Sequence, residues 1–185
     1  NAWMKKGLSN AANPVHSMDD YVLREMHRRC NYDREVIRYA DACIEAELIH
    51  YTLDSTRITE QVTDKVAYYV EQYQRSSLAS AVILPFIDAI TVRQLSKEHL
   101  EALALITQAM LSHKPFPLVT VHDDFKAHPN NINQVCQHYR EIMAEIADSN
   151  VLDDLLSQLH GVLGQYPKLS FNLGDKIRKS RYALC

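Results

Sequence analysis

The segment Pro115-Phe116-Pro117-Leu118-Val119-Thr120-Val121-His122-Asp123-Asp124-Phe125 decides how this chain is read. Its two prolines close off any helix on the N-terminal side. The run Leu118 to Val121, rich in β-branched residues, is the best strand candidate in the sequence. Two adjacent carboxylates follow at the point where such a strand would turn. Neighbouring side chains of an extended chain point to opposite sides, so one aspartate can face a site while the other faces solvent or a second ion. Magnesium takes oxygen ligands in a near-octahedral shell, typically one or two protein carboxylates completed by waters and substrate phosphates. A single well-placed aspartate is therefore half of a cation site. The blander alternative, an Asp-Asp turn that only leaves a strand, is the commoner origin of the bare pattern.

Outward from this segment the pattern changes to helix. Only 4 glycines occur in 185 residues, 46% of the residues are apolar, and apolar side chains recur at spacings of three and four, so the expected class is α+β, mostly helical. A first helix is expected from Ser17 to about Arg29, with Ser17 as N-cap and Asp19 and Asp20 in its first turn. A second is expected from Asp33 to Tyr51, burying Val36, Ile37, Ala40, Ile44, Leu48 and Ile49. A third, from Ile58 to Gln74, uses Val62, Val66, Tyr69, Val70 and Tyr73, and Leu78 to Ile90 reads as buried helix bent or broken at Pro85. Ser96 caps a helix over Lys97 to Ser112. Pro129 opens a long amphipathic helix marked by Ile132, Val135, Cys136, Tyr139, Ile142, Met143 and Ile146. A shorter one with Leu152, Leu155, Leu156, Leu159 and Val162 ends at Gly161 or Gly164, and a basic tail closes the sequence. No repeat, low-complexity tract or Gly/Ser linker marks a domain boundary.

Composition excludes several classes. The net charge of −3 disfavours a surface that grips nucleic acid throughout, although Arg24, His27, Arg28 and Arg29 form one basic cluster and Lys168, Lys176, Arg178, Lys179 and Arg181 another. From charge alone, both read as solvated faces. The four cysteines, Cys30, Cys43, Cys136 and Cys185, lack disulfide or zinc spacing and are expected to be free thiols. No apolar run of membrane-spanning length and no signal-peptide pattern occurs, so a soluble, intracellular protein is expected. The usual glycine-rich phosphate loops, the GxSxG elbow and HExxH are absent. The opening Asn1-Ala2-Trp3 reads as the middle of a longer polypeptide.

A second chemically suggestive segment is Ala12-Asn13-Pro14-Val15-His16-Ser17-Met18-Asp19, followed by Leu23-Arg24. Alone, it is an Asn-Pro turn with a serine cap. Together and in order, it, the Leu118 to Phe125 segment and the C-terminal stretch resemble the C-terminal half of the single-subunit RNA polymerases of bacteriophages and mitochondria. In that family an A-P-N-x-V-H-S-x-D segment opens a helix carrying Leu-Arg. A later strand ends in H-D-S-F, called motif C, whose aspartate binds the catalytic metals; His122-Asp123-Asp124-Phe125 is similar, with Asp124 in place of serine. Asn172-Leu173-Gly174-Asp175-Lys176-Ile177 and Ser180-Arg181-Tyr182-Ala183-Leu184 resemble the family's terminal N-L-x-D-I-L and S-x-F-A-F, which would make Cys185 the natural C-terminus. The likeness covers residues 10 to 25 and 115 to 185. Asn31 to Ser112 departs from it and reads as a helical insertion, as in a divergent branch such as the virion-packaged phage polymerases.

The resemblance implies the C-terminal palm and fingers portion of a right-handed polymerase fold, with a short β-hairpin or strand bearing motif C. Residues 1–30 would be a fingers/palm segment, 31–113 a helical insertion, and 114–185 a palm segment with the C-terminal tail. It implies Asp123 as the metal-binding catalytic residue with His122 beside it, and His16, Ser17 and Asp19 in ribose and minor-groove recognition. Arg24 and Lys126 would contact nucleic acid. The implied cofactor is Mg2+. The implied partners are a DNA template, the RNA product, ribonucleoside triphosphates and upstream polypeptide carrying a second metal aspartate and the fingers helix, with no membrane. Localisation would be the phage virion or host cytoplasm, and this portion alone would be inactive. Three alternatives stand beside this reading. A DNA polymerase of the related fold has V-H-D-E as its motif C; a phosphohydrolase would need the His-Asp pair on a helix; a helical interaction module would have no active site.

Overall fold

The computed structural model describes residues 2–53, 65–121, 124–161, 164, 166–168 and 170–180, with side chains from residue 12 onward. Among them the protein is mostly helical, with one two-stranded antiparallel sheet.

Helix α1 spans Ala2–Cys30 and runs straight through Asn13-Pro14, where an Asn-Pro turn and a serine cap were expected. Proline fixes φ near the helical value, but it removes one backbone hydrogen bond and its ring crowds the carbonyl one turn back; this stretch is largely exposed, so water can satisfy that carbonyl. Ser17 is consequently not a cap; its Oγ donates back to the Asn13 carbonyl at 2.9 Å. His27, Arg28 and Arg29 occupy the last turn of α1, at the negative end of its dipole.

Helix α2, Arg34–Leu53, starts at Asp33, whose Oδ1 accepts from the Glu35 N–H at 2.9 Å. It buries Ile37, Ala40, Ile44 and Glu47. Val36 and Ile49, expected in that stripe, are exposed: Ile49 lies roughly 140–180° around the helix from Ile44 and Ala40, and Val36 stands in the first turn of α2. Helix α3, Lys65–Ser76, buries Val66 and half-buries Tyr69, Val70 and Tyr73; its expected start at Ile58 and Val62 lies outside the described residues. The Leu78 to Ile90 stretch is not α-helical. It forms 3₁₀ turns over Ala81–Phe86 and Thr91–Gln94. Pro85 removes a donor that an α-helix needs, and Asp88 Oδ1 accepts from the N–H groups of Ile90 and Thr91, both at 2.8 Å, which turns the chain away from helix.

Helix α4, Lys97–Leu111, has the expected Ser96 cap, with Oγ accepting from the His99 N–H at 3.3 Å, and packs on α2. Strands β1, Val119–Val121, and β2, Asp124–Lys126, pair antiparallel in the register Val119↔Lys126, Thr120↔Phe125, Val121↔Asp124. A 3₁₀ turn at Pro129–Asn131 leads into α5, Ile132–Asp148. Helix α6, Val151–His160, ends at Gly161, whose φ of 68° is the left-handed conformation glycine adopts without cost. The basic tail contains a further helix, α7, Leu173–Lys179, lying on α5 so closely that a Cβ on Gly174 would collide with the Asp148 carboxylate.

Two hydrophobic cores result. One draws its buried residues from positions 37 to 110, centred on Ile44, Leu84, Leu95, Leu100 and Leu103. The other gathers Val22, Met26, Cys30, Phe116, Leu118, Val135 and Ile142, joining α1, the approach to β1 and α5. No helix among the described residues is long and apolar enough to cross a membrane.

Candidate functional site

The hairpin is held from beneath. Phe116 and Leu118 are buried just before β1, and the Phe116 N–H donates to the Cys30 carbonyl at the end of α1 at 2.8 Å. Along both strands the central residue faces inward: Thr120 and its partner Phe125 are half-buried, whereas Val119, Val121, Asp124 and Lys126 are exposed. Phe125 meets Tyr139 of α5 with ring centroids 5.9 Å apart, and Thr120 Oγ1 lies 3.4 Å from His27 Nε2 of α1. Thus α1 and α5 together set the position of the strands on either side of His122 and Asp123. Those two residues themselves lie outside the described residues.

His16, Ser17, Asp19 and Arg24 are all exposed on α1. Eleven residues separate His16 from His27, a rotation of about 20° and a rise of roughly 16 Å, so the two share one face of the helix. That face continues from the hairpin contact toward His16, with Asp20 and Leu23 on it and Asp19 and Arg24 at its flanks. The opposite side carries Val22, Glu25, Met26 and Arg29 into the interior.

Arg29 departs from the solvated basic face expected for its cluster. It is fully buried and forms a bidentate pair with Glu145 of α5, at 2.9 and 2.6 Å, while its Nε donates to Glu25 at 3.2 Å. Glu25, also fully buried, accepts from Arg28 Nη1 (3.1 Å), Ser80 Oγ (2.6 Å) and the Ala81 N–H (3.0 Å). Burial by itself favours loss of the Arg29 proton, but the carboxylates of Glu145 and Glu25 outweigh it and raise the guanidinium pKa above its usual value. The i,i+4 spacing of Glu25 and Arg29 was a visible signal for this network; the role of Glu145 was not. The second basic cluster is partly engaged as well. Lys168 Nζ donates to the carbonyls of Ala147, Asp148 and Ser149 at 2.7 to 3.1 Å, and Arg178 pairs with Glu141 and Asp148. Lys176 and Lys179 are exposed, and Arg181 lies outside the described residues.

Among the described residues no three His, Cys, Asp or Glu side chains gather as a metal shell; Asp123, the expected ligand, is not among those residues. Cys30 is buried and its thiol is pushed up to about 12 by that burial, so it is no nucleophile. An apolar groove of about 440 Å³ runs between α1 and the α5–α6 junction, lined in part by Pro14, Val15, Met18, Ile146, Leu152 and Leu173. No protein-family model matches the chain, and no curated protein matches it.

Proposed function

We propose that this chain is the motif C-bearing portion of a template-directed RNA polymerase, with DNA as template and ribonucleoside triphosphates as substrates. The support is the resemblance of its three ordered segments together with one structural observation: antiparallel strands flank His122-Asp123 and rest on the helix that carries His16, Ser17 and Asp19. A tight two-stranded element suits a carboxylate that must be held by backbone geometry rather than by a mobile loop. In this reading Asp123, with a second carboxylate from polypeptide upstream, would hold magnesium, with His122 next to it in sequence. Magnesium bound there supplies Lewis acidity toward the RNA 3′-hydroxyl and neutralises the pyrophosphate leaving group. Asp123 acts by fixing position and charge, not by trading protons. His16, Ser17 and Asp19, on an exposed stretch of α1, would contact the ribose and minor-groove edge of the nascent pair, and Arg24 and Lys126 the nucleic-acid backbone.

Asp123→Asn in the full-length protein containing this chain is expected to abolish templated RNA synthesis while leaving template binding and the circular-dichroism spectrum near wild type. Near-normal synthesis by that variant overturns the proposal, and selective loss of deoxynucleotide incorporation moves it to the related DNA polymerases. One observation favours a second reading, a helical interaction module: the apolar groove beside Pro14, Val15 and Leu152. That reading expects Asp123→Asn to change nothing.

A further inference from the structure

The connector between α4 and β1 is fastened at several points. The His113 carbonyl accepts from Tyr32 Oη at 3.1 Å and Arg34 Nη1 at 2.5 Å, and the Phe116 N–H reaches Cys30. The fastening to α5 is of another kind: His113 Nε2 lies 2.7 Å from Nε2 of His138, and the two rings meet edge-on with centroids 5.0 Å apart. His113 is half-buried between Tyr32 and Phe116, and His138 is 2% exposed.

The protonation pattern follows from the partners. A carbonyl only accepts, so His113 Nδ1, 2.9 Å from the Lys114 carbonyl, carries a proton and leaves Nε2 as a lone pair in the neutral ring. His138 Nε2 must then be the donor, which leaves its buried Nδ1 as a lone pair without a partner. Both rings are neutral and joined by one N–H. A further proton is accommodated only at a cost. On His113 Nε2 it would either set two N–H groups head to head or drive the His138 proton onto Nδ1, a buried atom with no acceptor. On His138 Nδ1 it would place a cation in the interior.

The surroundings do not compensate such a charge. From α1 come Arg29, matched to Glu25 and Glu145, and the thiol of Cys30; from the start of α2 comes Arg34, preceded by the phenol of Tyr32; the connector adds Lys114. On α5 itself Glu141 is engaged by Arg178 and Glu145 by Arg29. Among the described residues no carboxylate hydrogen-bonds either imidazole. We propose that the His113–His138 pair is a proton-operated latch, closing the connector and the hairpin that follows it onto α5 while both rings are neutral, and opening when the pair takes up a proton. Burial first, then the neighbouring His113 and Arg29, lowers the His138 pKa to about 3, in keeping with a closed state that rejects protonation. The inference does not depend on the polymerase reading.

Hydrogen exchange resolved by peptide, corrected for intrinsic rates and run on the whole chain at pH 7.5 and 5.5, tests the latch. A group that titrates near 6.5 when open and about 3 when closed lowers protection about tenfold across that interval. The loss is expected in peptides covering residues 114–126. His138→Gln is expected to remove it, because an amide can donate to a neutral His113 or, turned over, accept from a protonated one. Equal protection at both pH values in the wild type, or the same tenfold loss in His138→Gln, overturns the proposal. Should His138→Gln lack the wild-type circular-dichroism spectrum, nitrogen-15 imidazole spectra of the wild type decide. One transition shared by both histidines and the connector amides supports the latch, and independent transitions overturn it.

Discussion

The two cores are built on different principles. The first draws on positions 37 to 110 and is built mainly of apolar contacts, with buried His99 stacked on Tyr73 at a ring-centroid distance of 3.9 Å. The second joins segments far apart in sequence, α1 and α5, and at its edge stands the Glu25–Arg29–Glu145 network, whose Arg29 and Glu145 are 116 residues apart. Apolar burial is non-directional and specifies volume. A bidentate guanidinium pair specifies orientation as well. The hairpin hangs on the second core, beside this directional network.

That contrast can be broken at its strongest point. Arg29→Met would leave Glu25 buried beside an apolar side chain and Glu145 without its bidentate partner, and is expected to cost about 3–5 kcal/mol in urea unfolding. Losing less than about 1 kcal/mol would mean the network is ornamental. Leu103→Ala, in the first core at 0% exposure, is expected to cost about 3 kcal/mol through transfer and cavity terms. The same titration checks it, and the hairpin's exchange protection should change less than in Arg29→Met. The smallest effect is set by pH. His99 is buried and neutral, with its pKa lowered to about 3 by burial, so the unfolded chain binds its proton more readily. Its stabilising effect is complete above about pH 6.5 and is lost as pH falls from there through about 3, near 1.4 kcal/mol per unit, or roughly 2 kcal/mol by pH 5. His99→Phe should flatten that slope by one proton in urea titrations at pH 7 and 5; an unchanged slope counts against a neutral His99.

The parts visible in sequence were those governed by local rules. The Ser96 cap and the Ile37, Ala40, Ile44 stripe follow from spacing alone, and prolines on one side with acids on the other bracket β1. Val36 and Ile49 misled because apolar character alone does not tell an exposed helix position from a buried one. Leu78 to Ile90 misled because an unbroken apolar run has no period, and the Asp88 turn decides its shape. Helix α7 carries no apolar stripe; its fit against α5 depends on Gly174, which reads as a helix breaker until Asp148 is seen beside it. At the candidate site, the strand Val119–Val121 was legible, whereas the continuous helix beneath His16 was not, because Asn13-Pro14 reads as a turn. The fate of Arg29 was not legible either, since its partner Glu145 lies on another helix. The assignment of Asp123 rests on resemblance.

Lys168 shows how such an arrangement constrains chemistry at the surface. Its ammonium stoppers the carboxyl end of α5, bound to three consecutive main-chain oxygens. A positive charge seated there is withdrawn from any passing polyanion, and acylating that amine would uncork the very helix on which the hairpin leans.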